Sequence, residues 1–428
     1  MNPVPPVRVG LLGAGTVGRE VARAFAEFPE RLAVHDGARL ELVGVAVRDV
    51  ARAREAGIDA RLLTDAPAHL VAADDTDVIV EVMGGDEPAR TLIATALAAG
   101  KAVVSANKHV IAHHGPELET IARRTGAALR FEAAVAGGVP VLGPLGAELA
   151  ADRVTRVRGI VNGTTNYILS AMAGEGRAYE DALAAAKAAG YAEADPSGDV
   201  EGDDAVNKLV ILIRLAFGTW VDPAAVVRRP PTSDGGHGRP GITGVAAADV
   251  AGAAALGATI KLVADVVRLP DGRVAASVLP TVVPLDDPLG RTNSVTNRVE
   301  VRAEPLGGVA FVGPGAGGPA TSSAVLGDLL AIARGIGSTW AGLPPAGAAP
   351  TGTLEGPLEE ATDRGWFAIV PRDVPSSAFD GPAATATVAG GTAVILRGIS
   401  LSTARSLFRA AGLPDGATIL PVDIASGR

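Results

Sequence analysis

Residues 7–25 read VRVGLLGAGTVGREVARAF, and no other stretch of the chain says as much about its architecture. A β-branched run ends at Leu12, glycines fall at positions 13, 15 and 18, and a helical spacing of Val and Ala begins at once. In a strand–turn–helix setting each glycine has its own task. Gly13 makes the tight turn, Gly15 lets backbone approach a pyrophosphate, and Gly18 permits close packing of helix on strand. The helix start, with Thr16 and Val17 in its first turn, adds free N–H groups and a positive dipole end suited to an anion. The stretch predicts a dinucleotide-binding βαβ unit, against the plainer reading of a structural turn.

Working outward, further apolar runs at 40–47, 77–83, 101–106 and 128–135 read as buried strands, alternating with helical spacings at Val17–Phe28 and Ala89–Ala99. This alternation predicts an α/β, Rossmann-type domain over residues 1–136, with a returning segment at about 313–340. From Val154 the pattern changes. One strand feeds helices near 164–173, 179–189 and 203–217, and the Pro/Gly/Arg-rich segment 228–244 reads as loop. A helical run over Ala247–Leu269, strands near 274–283, 297–303 and 308–312, and a helix over 319–335 then complete the pattern. Together they predict an α+β domain over 137–312 with a mixed sheet. LPPAGAAPTG, at 343–352, reads as a linker to a small α+β appendage over 353–428.

The composition narrows the chemistry. The chain has 428 residues, a net charge of −9, no cysteine and 54 glycines, well above the usual ~7%. Thiolate metal sites and cysteine nucleophiles are excluded, and the acidic balance argues against general binding to nucleic acid. Neither a signal peptide nor a membrane span is legible, so the chain reads as soluble and cytoplasmic.

The end of the second strand bears on the cofactor, because an acid there holds a ribose 2′-OH and an arginine accommodates a 2′-phosphate. The sequence places Arg48 first, then Asp49, with Arg52 and Arg54 close by. The reading leans to NADP, and Asp49 keeps NAD open. Gly84, Ser105, Asn107 and Lys108 fall at carboxyl ends of later strands, where ligands of open α/β sheets bind.

The segment 190–212, GYAEADPSGDVEGDDAVNKLVIL, gathers Glu193, Asp195, Asp199, Glu201, Asp203 and Asp204 ahead of Lys208 and an apolar helix. Asp204 and Lys208 are four apart and share a helical face. A solvated surface pair is the bland reading. The apolar LVILI that follows places the pair at the mouth of a buried helix instead. The histidines at 109, 113 and 114 lack an established zinc spacing, and neither a G-x-S-x-G nor a P-loop is present.

Taken in order, GLLGAGTVG, SANKHVIA, FEAAVAGGVPVL, GIVNGTTNYILSAM, GYAEADPSGDVEGDDAVNKLVIL, GITGVAAADVAGAAALGATIKL and GPGAGGPATSSAVLGDLL closely resemble homoserine dehydrogenase over residues 7–335. The resemblance implies NAD(P)-dependent, reversible reduction of L-aspartate 4-semialdehyde to L-homoserine, on the route to threonine and methionine. It implies Lys208 as proton donor, Asp204 as the acid orienting substrate or lysine, Glu193 as holder of the substrate's amino group, and Lys108 near nicotinamide and substrate. A sodium or potassium ion is implied at Glu132, Val135, Gly137 and Val139, and a further cofactor contact at Gly315. Backbone N–H groups at Gly163 and Thr164 suit the substrate carboxylate, and Asp199 joins the substrate-binding acids. Family members form homodimers or homotetramers, and many carry an ACT-type regulatory domain at the C-terminus. Here the Pro-rich DVPSSAFDGPA (373–383) stands where that domain's usual turn would lie, so the appendage reads as a degenerate form or a different fold. The alternatives are another NAD(P)-dependent oxidoreductase of a small amino acid or oxo acid, and a catalytically silent NAD(P) sensor.

Overall fold

The computed structural model describes residues 5–33, 39–346, 364–379 and 383–423; the end of the linker (347–352), the start of the C-terminal segment and residues 424–428 lie outside them. The chain divides into two compact units. The first comprises Met1–Arg153, Val210–Trp220 and Gly313–Ala348, and the second Val154–Leu209, Val221–Val312 and Ala349–Arg428.

In the first unit, strands β1 (Val7–Leu12), β2 (Leu40–Ala46), β3 (Leu63–Thr64), β4 (Val78–Glu81), β5 (Ala102–Ser105) and β6 (Leu129–Arg130) form one sheet, ordered β3-β2-β1-β4-β5-β6. Every neighbouring pair is parallel. This is the doubly wound dinucleotide-binding order, with its switch point between β1 and β4. Helices α1 (Thr16–Glu27), α2 (Val50–Glu55), α3 (Pro67–Ala72), α4 (Ala89–Ala98) and α5 (Lys108–Thr125) connect the strands. The core joins Val9, Leu11 and Val45 of the sheet to Val21 of α1 and to Val325 and Leu329 of a late helix, Gly318–Ala333.

Two elements differ from the sequence reading. The strand expected over 128–135 pairs only at Leu129 and Arg130, then turns through the 3-10 segment Glu132–Ala134. Phe131 is buried against Trp340, and the Glu132 carboxylate reaches the backbone of Val141–Gly143, so the chain leaves the sheet to bury both. The long helix α5 was not foreseen. Its KHVIAHHGPELETIARRT carries Gly115 and Pro116 mid-run, and Gly115 is needed because a Cβ there would lie 2.4 Å from the Trp220 ring.

The second unit is built on β7 (Arg153–Ile160), β8 (Ala258–Arg268), β9 (Val274–Pro284), β10 (Thr296–Glu304) and β11 (Gly307–Pro314). The remaining helices are α6 (Leu142–Gly146) and α12 (Gly318–Ala333), of the first unit, α7 (Gly163–Glu175), α8 (Tyr179–Ala188), α9 (Ser197–Val200) and α11 (Ala247–Ala255), of the second, and α10 (Asp203–Phe217), which belongs to the second up to Leu209 and to the first from Val210. The helix expected over Ala247–Leu269 ends at Ala255, and β8 follows. Gly257, at φ +71°, breaks the helix, and the β-branched ATIKLVADVVR pairs along its whole length with β9.

The C-terminal segment supplies β12 (Arg364–Val370), β13 (Ala383–Val388), β14 (Gly391–Ile399), α13 (Leu401–Ala410) and β15 (Leu420–Val422). These strands continue the second unit's own sheet, ordered β11-β10-β7-β8-β9-β15-β12-β14-β13. Between β12 and β13 the described residues hold only the 3-10 turn Ser376–Ala378, since Pro375 and the surrounding sequence offer no helical run. One face of this wing packs Trp366, Val394 and Leu396 under Leu401 and Phe408, while Gly252 of α11 packs on Phe367, Ile369 and Ala393.

Buried ions cross the junction. Arg156 of β7 binds Asp265 at 2.8 Å and Asp423 at 3.3 Å, and Arg158 binds Asp423, Glu300 at 2.7 Å and Asp287 at 3.1 Å. Arg364 reaches Asp265 at 2.5 Å. Burial opposes the charge on Asp265, but Arg156 and Arg364 outweigh it and hold that carboxyl well below its ordinary range. No helix among the described residues is long and apolar enough to cross a membrane.

Candidate active site

The first unit presents the dinucleotide turn as expected. Gly13 takes φ +100°, and a Cβ on Gly18 would lie 2.0 Å from the Gly13 carbonyl oxygen, so only glycine lets α1 start this close to β1. A Cβ on Gly15 would meet nothing within 4 Å, and Gly15 caps α1 without any side-chain bond. The first-turn N–H groups around Thr16 and Val17 therefore keep their capacity for an anion.

At the end of β2, Arg48 is exposed and Asp49 caps α2, its carboxylate accepting the Arg52 N–H at 2.9 Å. Asp49 thus has a structural task, and among the described residues no acid pairs with Arg48.

A residue the sequence reading passed over organises the next part. Glu81, at the end of β4, is fully buried. One of its oxygens accepts the Met83 N–H at 2.8 Å and the Gly84 N–H at 3.3 Å, and the other accepts the Ser105 hydroxyl at 2.7 Å. The Ser105 oxygen accepts the Asn107 N–H at 3.0 Å, and the Asn107 amide donates to the Gly85 carbonyl at 2.8 Å while capping α5 at Val110. Burial raises the Glu81 pKa, and these donors oppose the rise. Gly84, Ser105 and Asn107 are therefore one hydrogen-bonded unit, with half-buried Lys108 as the first residue of α5. The signal was visible as an acid inside the apolar run DVIVEVM.

The loop 131–143 folds around Glu132. Its carboxylate accepts the N–H groups of Val141 (2.7 Å), Leu142 (2.9 Å) and Gly143 (2.6 Å), and its own N–H donates to Asp328. Asp328 also binds Arg130 at 2.7 Å. Burial raises the pKa of both acids, and Asp328 adds to the effect on Glu132. Two carboxylates are thus buried side by side, with Arg130 bonded to Asp328. Between Val135 and Val139, Ala136 and Gly137 take successive positive φ values of 54° and 53°, a strained arrangement for alanine. The late glycine loop packs onto this turn: a Cβ on Gly137 would lie 2.6 Å from the Gly315 carbonyl oxygen, and one on Gly318 would lie 2.8 Å from the Thr16 carbonyl oxygen. Gly315 thus packs on the 131–143 loop, three residues before the contact of Gly318 with the dinucleotide turn.

The second unit gathers the acid–lysine group. Lys208 and Asp204, one turn apart on α10, are both buried and joined at 2.7 Å. The ammonium also donates to the Val161 carbonyl at 2.7 Å, at the end of β7. Asn162, the next residue, was not singled out from the sequence. Its amide nitrogen donates to Asp204 at 2.8 Å and to Asp199 at 2.7 Å, and its oxygen caps α7 by accepting the Thr165 N–H at 2.8 Å. Its signal was an Asn–Gly pair at a strand–helix junction. With Thr165 capped, Gly163 and Thr164 carry the open first-turn N–H groups of α7. The Thr164 hydroxyl is engaged, donating to the Tyr191 carbonyl at 2.7 Å. Glu193 lies exposed on the loop after α8, and among the described residues nothing bonds it to the lysine group. No cluster of three or more potential metal-ligating His, Asp or Glu side chains occurs among the described residues.

A doubly wound domain with an open glycine turn, in a chain that also carries a buried lysine–carboxylate pair, defines an NAD(P)-dependent oxidoreductase of a small molecule. Comparison with known proteins narrows this: residues 13–132 match the family described as homoserine dehydrogenase, NAD binding domain, and residues 140–330 match homoserine dehydrogenase. The chain belongs to the homoserine dehydrogenase family. It is 49% identical to the homoserine dehydrogenase of Mycobacterium tuberculosis over 333 residues, which are 77% of this chain and 73% of that one. The crystal structure of a homoserine dehydrogenase from Thiobacillus denitrificans superposes with a TM-score of 0.84 at 30% identity, covering 98% of both chains. A hyperthermophilic archaeal homoserine dehydrogenase in complex with NADPH gives a TM-score of 0.62 at 29% identity, covering 76% of this chain and 97% of that one.

Proposed function

We propose that this chain catalyses the reversible, NADP-linked reduction of L-aspartate 4-semialdehyde to L-homoserine, with Lys208 as the proton donor to the aldehyde oxygen. The observation that carries the reading is the chain of contacts Asp199–Asn162–Asp204–Lys208, buried from Asn162 onward, in which both the lysine and its orienting acid are held by backbone and amide partners. An ammonium so fixed stabilises the developing alkoxide and then passes its proton to it. Asp204 holds the lysine, and Asn162 holds Asp204. The N–H groups of Gly163 and Thr164 suit the substrate carboxylate, and Glu193 and Asp199 supply negative charge for its amino group. Lys108, at the start of α5, would neutralise charge beside the cofactor.

The bound nicotinamide supplies or accepts the hydride. The open Gly15 turn and the uncapped start of α1 fit its pyrophosphate, and Arg48 together with the engaged Asp49 supports NADP over NAD. The neighbouring buried carboxylates of Glu132 and Asp328, each held against the other's charge, support a sodium or potassium ion beside them. Because three N–H groups occupy the Glu132 carboxylate, such an ion would be held by backbone carbonyls of the 132–139 loop, the acids providing charge. The exposed edge strand β11, with Val312 and Leu306 half-exposed, supports pairing with a second copy in a homodimer or homotetramer.

The test is spectrophotometric: purified protein should reduce NADP when L-homoserine is added. Lys208→Ala should lose turnover by orders of magnitude while binding NADP as before. Absence of homoserine-dependent reduction with either NADP or NAD would defeat the reading.

A further inference from the structure

Lys261 stands in the middle of β8, only 1% exposed. It pairs with Thr281 of β9, next to the apolar cluster of Val263, Val283, Ile160 and Leu289. Its ammonium sits among four oxygens: the side-chain oxygens of Asn166 (3.0 Å) and Ser170 (3.3 Å) on α7, the Thr292 carbonyl (2.8 Å) and the Asn293 side chain (2.9 Å). All four are neutral. Among the described residues no carboxylate approaches it, and burial alone lowers its pKa to about 8. A buried cation without an acid is costly to keep, and a core position needs none. The cage therefore calls for an account beyond packing.

Its two walls supply one. Asn166 and Ser170 lie on the helix whose first turn is Gly163–Thr165, capped by Asn162. Thr292 and Asn293 open a loop that leads through Ser294, at φ +60°, to Val295, whose carbonyl oxygen would lie 2.9 Å from a Cβ on Gly163. Ser294 donates its N–H to Ser170, and Asn166 donates its amide N–H to the Thr292 and Thr296 carbonyls. The ammonium is thus the point where sheet, helix and loop meet, one to two turns from the residues that present Asn162, Gly163 and Thr164.

We propose that Lys261 is a positioning residue for the reaction: by filling the four-oxygen cage, it fixes the start of α7 against the 292–296 loop and so sets the geometry in which Gly163 and Thr164 receive the substrate. The role rests on the homoserine reading above. It acts through α7 and reaches no reacting atom.

The consequence is a split in kinetics. Lys261→Met keeps the length and apolar stem of the side chain and removes the ammonium. The KM for homoserine should rise about tenfold, as for loss of a binding interaction, with a smaller change in kcat and with the Kd for NADP, read by fluorescence titration, unchanged. A lysine needed only for stability would lower the melting temperature and the active fraction, reducing kcat at constant KM, and that result would overturn the proposal. Lys261→Ala adds a second readout, since propylammonium replaces the missing atoms; added at millimolar concentration it should restore the homoserine KM, and no restoration would count against the cage. Asn293→Ala removes one cage oxygen from an exposed loop and keeps the question open to test if the lysine variants do not fold: a raised KM supports the role, an unchanged KM overturns it. Homoserine turnover by the unaltered enzyme is the control. Its absence removes the functional reading together with this role, whereas an active enzyme whose Lys261→Met variant has the same KM removes this role alone.

Discussion

Replacing Asn162 separates two tasks that one side chain performs. Its oxygen caps α7, and its nitrogen donates to Asp199 and Asp204. Asn162→Ala loses both. The cap is worth about 1 kcal/mol of stability, and each hydrogen bond to a carboxylate is worth about 1.5–3 kcal/mol. Asp204 loses the amide that shares its Lys208-bound oxygen, so the orientation of the lysine loosens. If one of those two bonds is felt fully in the transition state, 1.5–3 kcal/mol corresponds to roughly a 10- to 100-fold fall in kcat. Asn162→Asp keeps an oxygen for the Thr165 N–H, yet cannot donate to either acid and places a third carboxylate beside them. It should therefore lose at least as much turnover as the alanine variant while retaining more of the melting temperature.

The assay is initial-rate reduction of NADP by homoserine, run with thermal melts and NADP binding on the same preparations. The reasoning fails if Asn162→Asp turns over normally, or if Asn162→Ala loses stability alone.

Arg48→Ala should raise the KM for NADP far more than that for NAD, and equal changes would show that Arg48 does not read a 2′-phosphate. Activity in buffers freed of alkali metal should rise on adding sodium or potassium and the response should weaken in Glu132→Gln; indifference to both ions would remove the cation. Asp265 has a depressed folded pKa, so its stabilisation is complete above the unfolded value of about 4 and is lost as pH falls below it. Arg364→Gln should consequently move the acid-unfolding midpoint to higher pH, and an unmoved midpoint, followed by circular dichroism, would mean that Arg364 does not favour the charged form.

Much of the first unit was legible because its signals are local. The Gly13–Gly15–Gly18 turn needs only neighbours in sequence, and parallel strands buried on both faces show as continuous apolar runs. Asp204 and Lys208 could be paired from helical spacing alone. What stayed hidden depends on partners distant in sequence. Glu81 looked like an interruption of a strand until Ser105 and Asn107 were placed around it, and Asn162 gained its role from acids 37 and 42 residues away. The run 247–269 misled for a different reason: Ala-rich sequence up to Ala255 continues without a polar break into ATIKLVADVV, and the switch from helix to strand is settled by Gly257 and by pairing with β9.

The same distinction bears on the C-terminal segment, which from sequence looked like an appendage behind a linker. Its last strand, β15, lies between β9 and β12, so the sheet that carries β7 and β8 runs on into the wing without an edge. Asp423, directly after β15, is buried between Arg156 and Arg158 of β7. Without it, Arg158 would keep Glu300 and Asp287, but Arg156 would depend on Asp265, which Arg364 of β12 also uses. Removing one member of a buried ionic group is costly, because the remaining charges stay desolvated. Since β7 leads directly into Val161 and Asn162, the strand these ions brace is the one that delivers the carbonyl and amide partners of Lys208 and Asp204. In this chain the wing belongs to the framework that holds Lys208, and any ligand it bound would act on the strand that runs directly into the lysine's carbonyl partner.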